Sequence, residues 1–287
     1  MHTWLPALLA IGAAMGVAVG TVVRHRASVT GRTAGGLWWL GALAAFGGFG
    51  LQVVALGTGS LLLVQPLIVL SVLFALPFDQ WINGQTATRR QWFWGVLLAL
   101  GVGMFVTFAD PEPARMGRRL WVLLLVVFLV LAILVAMVLY AERARRAPRA
   151  LLYGTVSGSL FGIGAVLVNA VGHQIKHPLD ALQHPPLYLF LVVAFAAVLC
   201  QQRSFAAGKL QSSFPAMTVA EPIVSVALGL AVVGEKLNRH SWSTVVSLLG
   251  LAVMVVGVLR LSRLTAAKQE QHHPVSGTPD AGRHARN

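Results

Sequence analysis

The residue best placed to do chemistry is Glu221, which stands inside an otherwise apolar run from Gln211 to Asn238 (QSSFPAMTVAEPIVSVALGLAVVGEKLN). The run is long enough to cross a bilayer. Glu221 lies about ten residues into it, roughly 15 Å deep at about 1.5 Å per residue, near the midplane. Hydrocarbon disfavours a charged carboxylate unless a cation or hydrogen-bond donors stabilise it, which suits proton coupling or cation binding. Pro222 follows directly. It lacks a backbone N–H and crowds the carbonyl of Thr218, so an opened helix is expected there. Irregular backbone at this depth is tolerated where protein buries it or a water-filled cavity meets it. The structural alternative pairs Glu221 with Arg203 or Lys209 at an inner mouth, or with backbone that Pro222 frees.

Other polar residues recur in matched places. Val64-Gln65-Pro66 matches Ala220-Glu221-Pro222, so Gln65 is the neutral counterpart of Glu221 and Pro66 a second helix break. Such an amide either contacts a ligand or ties helices together. Gln52 and Gln201 form another matched pair, with snorkelling to the inner interface as the alternative for Gln201. Thr155 and Ser159 are one turn apart on a helix face and, with Asn169 further out, would line a polar path or bond between helices. As metal ligand, Glu221 is the one candidate. His173, His177, Asp180 and His184 have helical spacing, but Pro178, Pro185 and Pro186 argue for a solvated loop. Asp79 and Glu235 occupy matching span ends and read as caps or gating contacts. No HExxH set and no glycine-rich nucleotide loop is present, and no cofactor is expected. No acid, base and nucleophile converge at one depth, so the chain is not expected to be an enzyme.

These residues must be held by membrane helices. The 287-residue chain is 56% hydrophobic and 11% charged, against about 25% charged in soluble proteins. Apolar runs give an all-α polytopic membrane protein with nine spans, near 4–23, 37–56, 59–78, 92–109, 120–140, 150–172, 187–203, 211–233 and 241–260. The start, Met-His-Thr-Trp, lacks the basic residues of a signal peptide, so the first run reads as a span. Residues 264–287 read as a disordered polar cytoplasmic tail. One cysteine, Cys200, excludes an internal disulfide. Trp38, Trp39, Trp92, Trp94 and Trp242 at span starts read as interface belts.

Charge sets the orientation. With the N-terminus outside, only Arg115, Arg118, Arg119, Lys176, Lys236 and Arg239 of the 22 Lys and Arg residues lie outside. The positive-inside rule then puts the C-terminus in the cytoplasm of a cell membrane. This also accounts for the net charge of +13 without nucleic acid as a partner. The basic inner loops face anionic lipid headgroups.

The chain also repeats itself. Arg90-Gln91-Trp92 through Met104 resembles His240-Ser241-Trp242 through Met254, about 150 residues on. Phe46, Gln52, Gly59 and Leu61 match Phe195, Gln201, Gly208 and Leu210. Gly12, Gly16 and Gly20 correspond to Gly154, Gly158 and Gly162, small faces that pack on neighbouring helices or on each other. The expected organisation is a first four-helix repeat over 1–119, a central unpaired helix and basic loop over 120–149, a second repeat over 150–263, and the tail. Five crossings separate each matched pair, so the repeats are inverted. Secondary transporters of this plan bind near the midplane between repeats. The small-residue faces serve a monomer or a homodimer equally.

Gly234-Glu235-Lys236-Leu237, followed by Trp242 and a glycine-bearing last span, resembles the close of an EamA-type half of the drug/metabolite transporter superfamily. The nine-span plan, Trp38-Trp39-x-Gly41, Ala55-Leu56, Val64-Gln65-Pro66-Leu67 and Gln201-Gln202 are similar to its NIPA-type magnesium transporter branch. The resemblance covers nearly all of residues 4–260. It implies alternating-access transport of a small solute, with Mg²⁺ as the substrate if the NIPA likeness extends to chemistry. The NIPA pattern has an acid in its second span, in a Gly-Glu-x-x-Asn setting. This sequence reads Gly48-Phe49-Gly50-Leu51-Gln52 there, which leaves Glu221 as the one deep acid. Mg²⁺ prefers octahedral oxygen ligands and commonly binds through one or two carboxylates with retained waters. Three functions follow as expectations: a solute transporter coupled through Glu221, a divalent-cation permease, or a non-transporting scaffold subunit.

Overall fold

A computed structural model describes residues 4–29, 35–84, 86–109, 120–144, 146–172, 185–207, 210–233 and 241–272. They form helices α1 (Trp4–Val29), α2 (Gly36–Thr58), α3 (Leu61–Val69), α4 (Ser71–Asn83), α5 (Arg89–Ala109), α6 (Leu120–Arg143), α7 (Arg146–Gly172), α8 (Pro185–Ala207), α9 (Leu210–Leu228) and α10 (Ser241–His272). A π-helical turn, Gly229–Val233, continues α9. Among the described residues, nine segments are long and apolar enough to cross a membrane. The protein is an all-α, multi-pass membrane protein.

Local chemistry sets several helix ends. Thr88 and Gln91 make a reciprocal capping box at the start of α5: the Thr88 N–H donates to Gln91 Oε1 at 2.8 Å, and the Gln91 N–H to Thr88 Oγ1 at 3.3 Å. Ser60 caps α3 by accepting from the Leu62 N–H at 3.1 Å. Gly84, at φ 68°, closes α4 in the left-handed conformation that glycine adopts without strain.

The third span breaks, but one turn beyond its proline. Pro66 lies within α3, and the chain turns at Leu70 before α4 begins. The eighth span corrects the expectation of an opened helix at Pro222. Helix α9 runs unbroken through both Pro215 and Pro222. Its irregularity is the π turn that follows, a wider coil often met at functional sites. The expected tail is also corrected at its start, because α10 stays helical to His272 rather than ending near 263. The histidine loop (His173, His177, Asp180, His184), together with Lys209 and Glu235, lies outside the described residues.

Packing sorts the helices into pillars and walls. All nine residues of α3 are buried, and the span in α7 is the most enclosed of the nine. Helices α6 and α8 expose most of their apolar surface, including Leu125, Phe128, Ile133, Val192 and Phe195. In hydrocarbon such faces need no protein cover. Helix α1 packs on α2 and on α3–α4, as α7 packs on α8 and on α9; α5 pairs with α10. Each contact within the first four spans thus has a counterpart within the last four. The glycine faces meet neighbours rather than each other: a Cβ on Gly16 would press on Gly48 of α2, and one on Gly158 on the Met217 carbonyl of α9.

Candidate functional site

Helix α9 holds Glu221 midway along its span, where the residue is largely buried. What holds it there is backbone contact with α7. A Cβ on Gly162 would lie 2.6 Å from the Glu221 carbonyl oxygen, and one on Gly158 would press on that of Met217. Only glycine admits this approach, so the Gly158/Gly162 face fixes the height of Glu221. Below Glu221, the Thr218 hydroxyl donates to the Phe214 carbonyl at 2.8 Å. Above it, the Ser225 hydroxyl donates to the Pro222 carbonyl at 3.2 Å.

The partner of the carboxylate is Gln52 of α2, whose buried side chain hydrogen-bonds Glu221. This contact joins the first half of the chain to the second. Among the described residues Glu221 has no cationic partner. The alternative that pairs it with Arg203 fails, because Arg203 is engaged elsewhere. Gln201 of α8 donates from Nε2 to the Met217 sulfur at 3.2 Å. Met217 precedes Glu221 by one turn on the same face of α9. The matched glutamines therefore both serve α9, one on its acid and the other on its thioether.

Gln65 sits in the fully buried α3, which packs against α9. Its Nε2 is the one fully buried side-chain nitrogen or oxygen among the described residues without a hydrogen-bond partner. Thr155 is half-buried, and its hydroxyl donates back to the Leu151 carbonyl at 2.9 Å. Ser159 is buried one turn further along α7. Asn169 does not line an open path. It is buried, and its Nδ2 donates to the carbonyls of Leu56 at 2.7 Å and Gly59 at 2.9 Å. Beside it Gly57 and Gly172 meet backbone to backbone. That end of the bundle is sealed between α7 and the α2–α3 turn.

A second polar cluster carries no sequence expectation. Glu142, at the end of α6, pairs with Arg149 at 2.5 Å and Arg203 at 3.2 Å, and accepts from the Tyr153 hydroxyl. Arg149 and Arg203 both lie over the Tyr153 ring. The signal available in the sequence was an acid within a basic stretch, Glu142 to Arg149. A shallow apolar crevice between α2, α7 and α8, lined by Phe49, Phe161 and Phe190 among others, contains neither Glu221 nor Gln65. Among the described residues no group of three or more His, Cys, Asp or Glu could hold a metal ion.

The chain belongs to the same family as an uncharacterized protein of Corynebacterium glutamicum, to which it is 37% identical over 276 residues, 90% of this chain and 95% of that one. No family model matches the chain. No solved structure matches it.

Proposed function

We propose that the protein is a secondary transporter of the drug/metabolite superfamily, moving a small solute by alternating access and coupling it to a proton or cation at Glu221. It would act in the cell membrane with its N-terminus outside and its C-terminus in the cytoplasm. The observation that carries this reading is Glu221 itself: a largely buried carboxylate midway along its span, without a counter-ion among the described residues, bonded to Gln52 of the other half. A carboxylate with no cation at that depth must take up a proton or a cationic ligand. An exchange between those two is the chemistry of coupled transport. The seal at Asn169 supports alternating access, since a carrier closes one side of its site at a time.

The divalent-cation alternative needs further oxygen ligands about Glu221, and the amide of Gln52 is the side chain that meets it. The reading therefore favours an organic solute.

The test uses proteoliposomes on a solid-supported membrane, screened with small solutes under an inward proton gradient. Wild type is expected to give saturable solute-dependent currents. Glu221→Gln should abolish them while remaining monodisperse. Full currents in that variant at every pH sink the role of Glu221. Saturable Mg²⁺ entry into dye-loaded liposomes, lost in Glu221→Gln, would instead move the reading to the permease.

A further inference from the structure

Gln65 presents a cost that the fold alone does not explain. The residue is 1% exposed and its Nε2 donates to no group among the described residues. A buried donor left unmade is destabilising, and an apolar residue of the same volume would avoid the penalty. Other buried polar side chains have found partners: Asn169 two carbonyls, Ser157 the Ala197 carbonyl, Ser204 the Ala150 carbonyl.

Its position gives that donor a use. Helices α2 and α3 are joined by the turn at Gly59–Ser60, so at about 1.5 Å per residue Gln65 lies within about one helical turn of the level of Gln52. Gln52 is the side chain bonded to Glu221. Helix α3 also packs on α9, and Leu62 and Val226 share one apolar cluster with Phe105 and Ala109. The third and eighth spans run in opposite directions, so this pairing brings Pro66 level with Pro222. Carboxylate and orphan amide therefore share one depth on two facing helices.

We propose that Gln65 is a specificity-determining contact of the site, donating to an acceptor oxygen of a solute whose ammonium group is received by Glu221. The proposal rests on the reading of Glu221 as the substrate and coupling acid. A bare metal ion has no use for an N–H, whose positive end faces it. A hydrocarbon amine leaves the donor unmade. A solute bearing both an ammonium group and a carbonyl, ether or hydroxyl oxygen satisfies both groups at once.

The test is thermal unfolding of the purified full-length protein with matched amines: 2-methoxyethylamine against n-butylamine, and glycinamide against n-propylamine. Each pair keeps the ammonium group and changes the acceptor. In wild type the oxygen-bearing member should half-saturate at about tenfold lower concentration, the worth of roughly one hydrogen bond. Gln65→Met should bind both members alike and, empty, should unfold at a higher temperature than wild type. Glu221→Gln should respond to neither. A preference unchanged in Gln65→Met overturns the assignment even where Glu221→Gln abolishes binding. Binding that survives Glu221→Gln overturns both the assignment and the reading beneath it. The assignment also falls if wild type treats the pairs alike or responds to none. Gln65→Leu is the second variant; if neither it nor Gln65→Met folds, Gln65 is structural and the assignment is wrong.

Discussion

A carboxylate midway along a membrane span needs a counterpart, and Glu221 has found an amide. The types of both residues were readable in the sequence, because Glu221 and Gln52 are polar side chains in apolar runs. Their partnership was not. Gln52 and Gln201 hold equivalent places in the two halves, and only packing decides that Gln52 takes the acid while Gln201 takes Met217. The same limit applies to Gly162, which reads as one of a small-residue series but proves to be the seat of the Glu221 backbone. Gly162→Ala puts a methyl group 2.6 Å from that carbonyl. Overpacking of this kind costs about 1–3 kcal/mol. The expected result is a lower unfolding temperature in detergent and a transport loss larger than the stability loss explains. An unchanged protein would show that α7 and α9 are not held at this contact.

At the scale of helices, proline positions were legible and their consequences were not. Pro66 and Pro222 occupy matched places, yet the third span turns at Leu70 while α9 continues to a π turn. A proline removes one donor and adds one clash. Whether the helix breaks depends on what surrounds it, and α9 is braced by α7 at Gly158 and Gly162. Asn169 marks where α7 closes against the α2–α3 turn. Asn169→Leu should loosen that seal. In a Cys200→Ser background, Leu61→Cys starts from a fully buried position. Its labelling by a membrane-impermeant maleimide should rise several-fold when Asn169 is replaced, and no rise would remove the seal from the transport cycle. Glu142 ties the unpaired helix α6 to α7 and α8 through Arg149, Arg203 and Tyr153. The three charged side chains are well exposed, although the Tyr153 ring is buried, so solvent screens the ion pairs. Glu142→Gln should leave the unfolding temperature nearly unchanged while speeding amide exchange at the end of α6.

At the scale of the molecule, the excess of Lys and Arg on alternate connections predicts a cytoplasmic C-terminus. Alkaline phosphatase fused after Asn287 should be inactive in a bacterial host, and green fluorescent protein at the same place should fluoresce. An active phosphatase inverts the orientation and moves the Asn169 seal to the cytoplasmic side. By itself the sequence determined that the protein is all-α, that nine segments among the described residues are long and apolar enough to span a membrane, and that one acid lies deep among them. Those features follow from the length of apolar runs against a bilayer of fixed thickness, which is a local property of the chain. Only the tertiary structure decided that Gln52 meets Glu221, that Gln65 Nε2 is left without a partner among the described residues, that Arg203 answers Glu142, and that Asn169 closes one end. In hydrocarbon, apolar surface does not tell one helix neighbour from another. Close glycine contacts and a few hydrogen bonds make that choice, and they join residues well separated in the chain, 61 positions between Arg203 and Glu142 and 113 between Asn169 and Leu56.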